Sequence, residues 1–543
     1  MSPLLCVFAG CAQFDSVGSP VGLMLLSGGG GGGGGAVSTA TWTATDFDCR
    51  QQVTVSAATA IAASSLISFS FDHATLVSAG KSLASGDDVR VYYEDGSGTE
   101  LDRAPVSGSA WNATDTRLAV KAQAAIAAGS SDSNYYLYYC DPDAGTPPTS
   151  VPAGNSTTTV TTTPQSQASN TTYNQVGSAS FTPTATDEVW LWFVTFGIKS
   201  DTAQTNNASN FTSQVTINGA TDTEIEQQSN QGDRFKMMVV TGFVTGTTAT
   251  QTIGVDIKSE AAGTTTTIKN LRIVSMLLPA DADFHSAIDD TETTVTSTWT
   301  AIGPAFTFTP SSAGDYFIVA SGQFHENPSG STAQMRLLSH DASYWPTIGA
   351  DGRYSANSRG SYDTFFVMRK ETLTAGARTM QFEFQSAGNG GQPSQYKGLR
   401  LYAFRADAFE ATESQSDLAA SGTTSTTEVV KSTLTTSAPS GARDHVIVQN
   451  QFIYDTDSSN THQTLADFTL DGTVLSDQDH VINNSNYHFA CGVVHSLNTS
   501  SAVTLQNRYW TNNAGIDTFS KESVIHVLRF KDGDASLGAE ESQ

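Results

Sequence analysis

Three stretches of this 543-residue chain are variants of one motif. "FTPTATDEVWLWF" (181–193) returns as "FTPSSAGDYFIVA" (308–320), and in weaker form as "TSAPSGARDHVIVQNQF" (436–452). Phe181 and Phe308 are 127 residues apart, and Leu271 and Leu399, which open "LRIVSMLL" and "LRLYAFRA", are 128 apart. The third unit ends on "SVIHVLRF" (523–530), and a middle segment recurs as "FKMMVV" (235–240), "FFVMRK" (365–370) and "FACGVV" (489–494). A repeat of this kind constrains the fold more than any local propensity does: whatever the unit becomes, the chain builds it three times.

Each unit is a series of short alternating segments broken by Gly, Asn, Asp and Ser, as in "DYFIVAS" (315–321). Alternation with period two, interrupted by turn residues, predicts antiparallel strands. Convincing helical periodicity is absent, and only the Ala-rich pieces 57–64 and 122–128 read as short turns of helix. Charged residues make up 15 % of the chain, against roughly 25 % in an average protein, and Thr, Ser, Asn and Gly fill the space, as suits pleated surfaces and tight turns. A unit of this size with about eight strands suits a two-sheet jelly roll and is too long for a propeller blade. The turn "PSSAGDYFIVASG" resembles the jelly rolls of the tumour-necrosis-factor and complement-C1q families.

The expected fold is therefore all-β, with four tandem jelly-roll-like β-sandwiches. An apolar peptide and glycine tether (1–40) precedes a first sandwich (41–147) and a linker (148–170) poor in aliphatic side chains. Repeats follow at 171–285, 286–412 and 413–533, then an acidic tail at 534–543.

The first sandwich carries its own motifs. "TWTATDFDCRQQVTV" (41–55), "SGDDVRVYYEDG" (85–96) and "NYYLYYCDPDAG" (134–145) place Trp42, Arg50, Gly86 to Arg90, Asp95-Gly96 and Tyr136 to Pro142 in sequence. Residues 41–150 thereby resemble an uncharacterised β-sandwich domain of secreted bacterial and archaeal proteins and some viral ones. The resemblance implies an extracellular setting and supplies no catalytic residues. Two departures from it are cysteines, Cys49 near the opening strand and Cys140 where the family has glycine. First and last strands of a sandwich often lie side by side, so a Cys49–Cys140 disulfide is expected, with two buried thiols as the alternative.

A net charge of −26 repels phosphate backbones and anionic lipid, so neither nucleic acid nor a polybasic membrane contact is expected. No apolar run is long enough for a membrane span. Residues 1–45 carry one charge, Asp15, and no basic n-region, so a secretory signal is not expected. Gly28 to Gly35 read as a flexible bridge, and residues 1–26 as a peptide that docks into another subunit of an assembly, with homo-oligomers also in view.

No catalytic or cofactor motif stands out: there is no HExxH, Walker loop or G-x-S-x-G elbow. Asp455, Asp457 and Asn460 in "DTDSSN" offer oxygen ligands to calcium, or form a solvated turn. The segment "HDASYWPTIGADGRYSANSRGSY" (340–362) has the Tyr/Ser/Gly/Asn composition of paratopes. Its Tyr344, Trp345 and Tyr354, with Tyr509 and Trp510 of the third repeat, are the candidate contacts to a host or matrix glycan, the alternative being that the tryptophans pack into their own sandwiches. Together these features point to a non-enzymatic structural protein on a virion surface, such as a fibre, spike or decoration protein of a tailed phage. The alternative is a secreted or cell-surface bacterial adhesin or carbohydrate-binding protein.

Overall fold

The computed structural model describes residues 42–543 apart from 58–59, 62, 97, 107–108, 150–155, 162, 169, 201–209, 229–234, 260–264, 327–330, 339–343, 346–361, 389–393, 440–442, 456–462, 482–488, 531–533 and 543. The glycine run and the apolar peptide before it lie outside these. Residues 43–543 form one compact unit. Among the described residues the only helix is His73–Ser78, capped by the Asp72 carboxylate, which accepts from the Thr75 amide at 2.9 Å. The described residues of the Ala-rich pieces are not helical. Ile61 and Ile126 instead pair in a β-bridge and are both buried, because the tertiary site for an apolar bridge outweighs alanine's helix propensity.

Each repeat is a sandwich of nine strands in two sheets. In the first, Lys236–Val244, Trp190–Ser200, Thr265–Leu277 and Ser156–Thr161 lie side by side, with Gln165–Ala168 also paired to Thr265–Leu277. The facing sheet runs Asn170–Phe181, Gln251–Ser259, Asn210–Ile217, Ala220–Gln228. The second and third repeats reproduce both orders strand for strand, which is a jelly-roll topology. The threonine-rich segment expected as a linker thus supplies the first two strands of repeat 1, in the places that His285–Asp289 with Thr293–Val295 and Ala411–Asp417 with Ser421–Thr423 take in the others.

The three repeats are not beads on a string. Their five-stranded sheets turn toward one another around a shared apolar core. Leu191, Phe193 and Val274 from repeat 1 meet Phe317, Val319 and Tyr402 from repeat 2 and Val446, Val448 and Leu528 from repeat 3. The intervening residues of the same strands point the other way: Trp190 and Trp192 fill the sandwich of repeat 1, and Tyr316 and Ile318 that of repeat 2. These strands are buried on both faces, which is why "VWLWFV" and "YFIVA" are apolar throughout rather than on alternate residues.

The first sandwich caps one end of this triple body. Arg50, fully buried, donates to Glu94 at 3.0 Å and to the Tyr138 hydroxyl at 3.2 Å. Gly86 sits at φ +70°, with the Trp111 ring so close that a Cβ would meet it at 2.3 Å, so only glycine fits. The Arg103 guanidinium donates to the carbonyls of Gly86 and Val89, both at 2.6 Å, and lies over the Trp111 ring. Cys49 and Cys140 form a disulfide, with Cα atoms 5.4 Å apart. Cys140 has φ +70°, the left-handed conformation for which the resembled motif uses glycine.

The acidic tail is a strand. Asp534–Ser542 pairs antiparallel with Cys49–Ala57 at seven registered positions, from Cys49↔Ser542 to Ser56↔Asp534. It touches Leu66–Phe71 in parallel at Ser68↔Asp534, linking two halves of the first sandwich that also share one apolar core.

Candidate functional site

The body has two distinct ends. Lys121 of the first sandwich holds Glu188 at 2.6 Å and also donates to Thr184, while Arg117 donates to Asn498 of repeat 3 at 2.8 Å. These contacts sit beside Trp190, Leu277 and Asp444, so the near ends of the central strands of repeats 1 and 3 face the cap. The central strands of the three repeats finish at Ser200, Glu326 and Asp455, roughly 35 Å further along at about 3.3 Å per residue. That far end is the face the body presents away from its cap and its N-terminal side.

The candidate contact residues divide between these ends. Tyr344–Trp345 is a short edge strand paired with Leu338 and Leu337 toward the near end, whereas Tyr362 pairs with His325 at the far end. The described parts of the segment 340–362, Tyr344–Trp345 and Tyr362, thus lie toward opposite ends of the body. Tyr354 and the side chains of Tyr344 and Trp345 lie outside the described residues. Tyr509 is corrected: it is 2 % exposed, belongs to the shared core, and its hydroxyl donates to Ser421 at 3.2 Å. Trp510, its neighbour, points to the opposite face and is half-buried near the far end. Asp455 ends its strand opposite Thr518, and Asp457 and Asn460 lie outside the described residues. Among the described residues no group of three or more His, Cys, Asp or Glu side chains is placed to hold a metal. No helix among them is long and apolar enough to cross a membrane.

The seam between repeats carries a polar system that sequence reasoning missed. Arg272 and Arg400 occupy equivalent places, opposite Val160 and Ile288, a place that Val524 takes in repeat 3; His526, opposite Ser414, lies two residues further along its strand. Each reaches into a different neighbour. Arg272 of repeat 1 donates to the Leu475 carbonyl of repeat 3 at 2.9 Å. The Arg400 guanidinium of repeat 2 lies 3.8 Å from Asp222 of repeat 1. His526 of repeat 3 meets the Met368 carbonyl of repeat 2 at 3.1 Å. Contacts running one to three, two to one and three to two close a cyclic, head-to-tail ring within a single chain.

Three buried histidines are held neutral, His495 and His526 at these contacts and His445 within repeat 3. Arg272 donates to Nδ1 of His495, and Arg529 to Nε2 of His445, both at 3.2 Å, so each imidazole must accept. His526 donates through Nε2 to Met368 and accepts from Ser414 at 2.8 Å. Burial pushes all three down to about 4, and the neighbouring guanidinium adds to the effect at His495. Arg369 of repeat 2 pairs with the buried Glu522 of repeat 3. A single cue in the sequence marked this system: a basic residue inside each closing apolar strand, "LRIV", "LRLY" and "VIHV".

Where the cap meets the repeats, Ser65, Lys121, Asp187, Asp281, Phe284 and Phe530 line a cleft of about 330 Å³.

No protein-family model matches the sequence, and no curated protein does. Solved structures overlap it at low scores. PNGase F, a glycosylasparaginase from Flavobacterium meningosepticum, is 9 % identical, covering 46 % of this chain and 100 % of that one, with a TM-score of 0.19. A triple-jelly-roll protein of an archaeal virus is 12 % identical over 66 % of this chain and 83 % of that one, TM-score 0.17. The STIV MCP is 9 % identical over 46 % and 95 %, TM-score 0.18. Likeness at these scores carries no weight for function.

Proposed function

We propose that this chain is a non-enzymatic structural protein of a virion surface: a spike or decoration subunit whose N-terminal side docks to the particle and whose far end meets the host. The observation that supports this best is the cyclic seam. Three jelly rolls in one chain surround a common core and touch one another in cyclic order, as the subunits of a trimer do. A covalent trimer of this kind is a stiff body with its cap at one end and three sets of strand ends at the other. That geometry suits projection from a surface, and the surplus of acidic residues suits a body that must stay dispersed in water.

The test is antibody labelling of purified particles against the repeats, together with a chain lacking residues 1–35. The reading requires label on the particle surface, and a truncated chain that keeps its melting temperature but no longer incorporates. Label confined to the bacterial envelope or the free medium would support a secreted adhesin instead. Normal incorporation of the truncation would remove the docking role of residues 1–26.

A further inference from the structure

Two of the three seam contacts are direct and one is not. Arg272 meets its carbonyl at 2.9 Å and His526 at 3.1 Å, whereas the Arg400 guanidinium stops 3.8 Å from Asp222, beyond hydrogen-bond reach. Polar groups held at that separation are commonly bridged by water. A cavity of about 10 Å³ lies in the same seam. Thr223 and Thr241 of repeat 1 line it from one side, and Ser321, Gln323, Thr364 and Arg400 of repeat 2 from the other. Thr364 accepts from the Val239 amide of repeat 1 at 3.3 Å, so the cavity lies between the two repeats rather than inside either.

Gln323 is 3 % exposed, and its Oε1 has no hydrogen-bond partner among the described residues. Such an acceptor bears the full cost of its lost hydration unless something else in the seam pairs with it. Gln323 is peculiar to repeat 2. It pairs with Lys397, and the equivalent pairs are Gly197 with Lys269 and Phe452 with Lys521. Gly398 beside it is at φ +61°, and a Cβ there would stand 3.2 Å from Gln323 Nε2. The same place in "KNLRIV" and "KESVIH" is Asn270 and Glu522, both also at positive φ, so repeat 2 alone has a glycine that leaves room there.

We propose that this cavity is a binding site for one internal water molecule, which accepts from Arg400 and donates to Gln323 Oε1 and Thr223 Oγ1. Thr223 gives its own proton to Asp222 at 2.9 Å, so its oxygen keeps the capacity to accept. The series Arg400, water, Thr223, Asp222 then closes the ring where the direct contact falls short. A site of roughly 10–15 Å³ holds one water, and a buried water typically makes about three hydrogen bonds. A cation is disfavoured, because the Arg400 guanidinium faces the same space. The site does not depend on the virion reading.

The test is a crystal structure of the full-length chain that resolves ordered solvent, solved for the parent and for Gln323→Met. The proposal requires a density peak within hydrogen-bond distance of Gln323 Oε1, Thr223 Oγ1 and the Arg400 guanidinium, and its loss in the variant. A parent structure with no peak there overturns it. Anomalous signal at the peak after sodium is exchanged for rubidium would make it a cation site and overturn the water. Thermal unfolding is the second readout. Thr223→Val and Gln323→Met should each lower Tm, and the double variant should lose no more than the worse single one, because either change evicts the same molecule. Summed losses, or a Tm raised by Gln323→Met, would mean a dry cavity with an unsatisfied acceptor.

Discussion

Arg272 and His495 belong to different repeats, and the guanidinium donates to the imidazole Nδ1 at 3.2 Å inside the seam. A protonated His495 could not accept that bond, and it would put two positive charges in contact away from water. Within repeat 3 His445 likewise accepts from Arg529, and at the seam His526 faces Met368 with Arg369 and Lys370 close by. The unfolded chain takes up protons near pH 6.5, while the folded chain holds these imidazoles neutral to about 4. Stability from this source is therefore complete above pH 6.5 and falls as pH drops toward 4. Below that it levels off, since both states are then protonated. Each histidine accounts for at most about 3 kcal/mol at the bottom of that window. Thermal unfolding from pH 7.5 to 4 should show a steep fall in Tm. The fall should be shallower in His526→Gln, where the amide can keep a donor toward Met368 without titrating. An unchanged slope in that variant would assign the acid sensitivity elsewhere.

Tyr402 tests how the shared core treats a polar atom. Its ring is fully buried among Phe243 and Phe284, and its hydroxyl has no hydrogen-bond partner among the described residues. Removing an unsatisfied hydroxyl costs little or stabilises. Tyr402→Phe should leave Tm unchanged or raise it by a few degrees. Tyr316→Phe is the contrast, because the Tyr316 hydroxyl donates to Asp283 at 2.5 Å, and its loss should cost about 1–2 kcal/mol. Chemical denaturation of both variants checks the pair.

The Cys49–Cys140 bridge closes a loop of 91 positions. In the chain-entropy model that constraint is worth roughly 4–5 kcal/mol, less any strain. Reduction, or Cys49→Ala with Cys140→Ala, should unfold the cap before the repeats. Because Cys140 has φ +70°, Cys49→Ala with Cys140→Gly should recover about 1 kcal/mol over the double alanine variant. Equal melting of the two would show that the backbone there relaxes once the bridge is gone.

The repeat and its strands could be read directly because turn residues and alternation are local signals. "FTP" followed by an acidic or glycine turn announced the same strand entry twice, at Phe181 and Phe308. The ring could not be read in the same way. Its evidence lay in the unbroken apolar runs around Trp190 and Phe317, which one-sided burial does not explain and two-sided burial does. The role of Arg272, Arg400 and His526 depends on which neighbour faces each strand, and that is fixed only by tertiary packing. The tail misled for a different reason: Asp534, Glu540 and Glu541 give it the composition of a solvated end, yet its backbone completes a ladder hundreds of residues away in sequence. Tyr509 misled as an aromatic beside another aromatic, since only the register shows which of two adjacent rings faces the core.

That adjacent pair gives the last prediction. Tyr509 and Trp510 are consecutive on Thr504–Thr511, so their side chains leave opposite faces of the sheet. Tyr509 packs in the shared core at 2 % exposure, while Trp510 is half-buried near the far end. Truncating a buried aromatic costs roughly 3–5 kcal/mol through lost burial and the cavity left behind. Tyr509→Ala should therefore fall by that amount in denaturant unfolding, with binding per folded molecule unchanged. Trp510→Ala should lose no more than about 1–2 kcal/mol, because part of its ring is already in water. If the far end meets a glycan, Trp510→Ala should also weaken binding of the full chain to host cells or to a glycan array, and the loss should persist when only folded protein is counted. A Trp510→Ala variant that melts like Tyr509→Ala and binds normally would make Trp510 a packing residue too, and would leave Tyr344, Trp345 and Tyr354 as the remaining aromatic candidates.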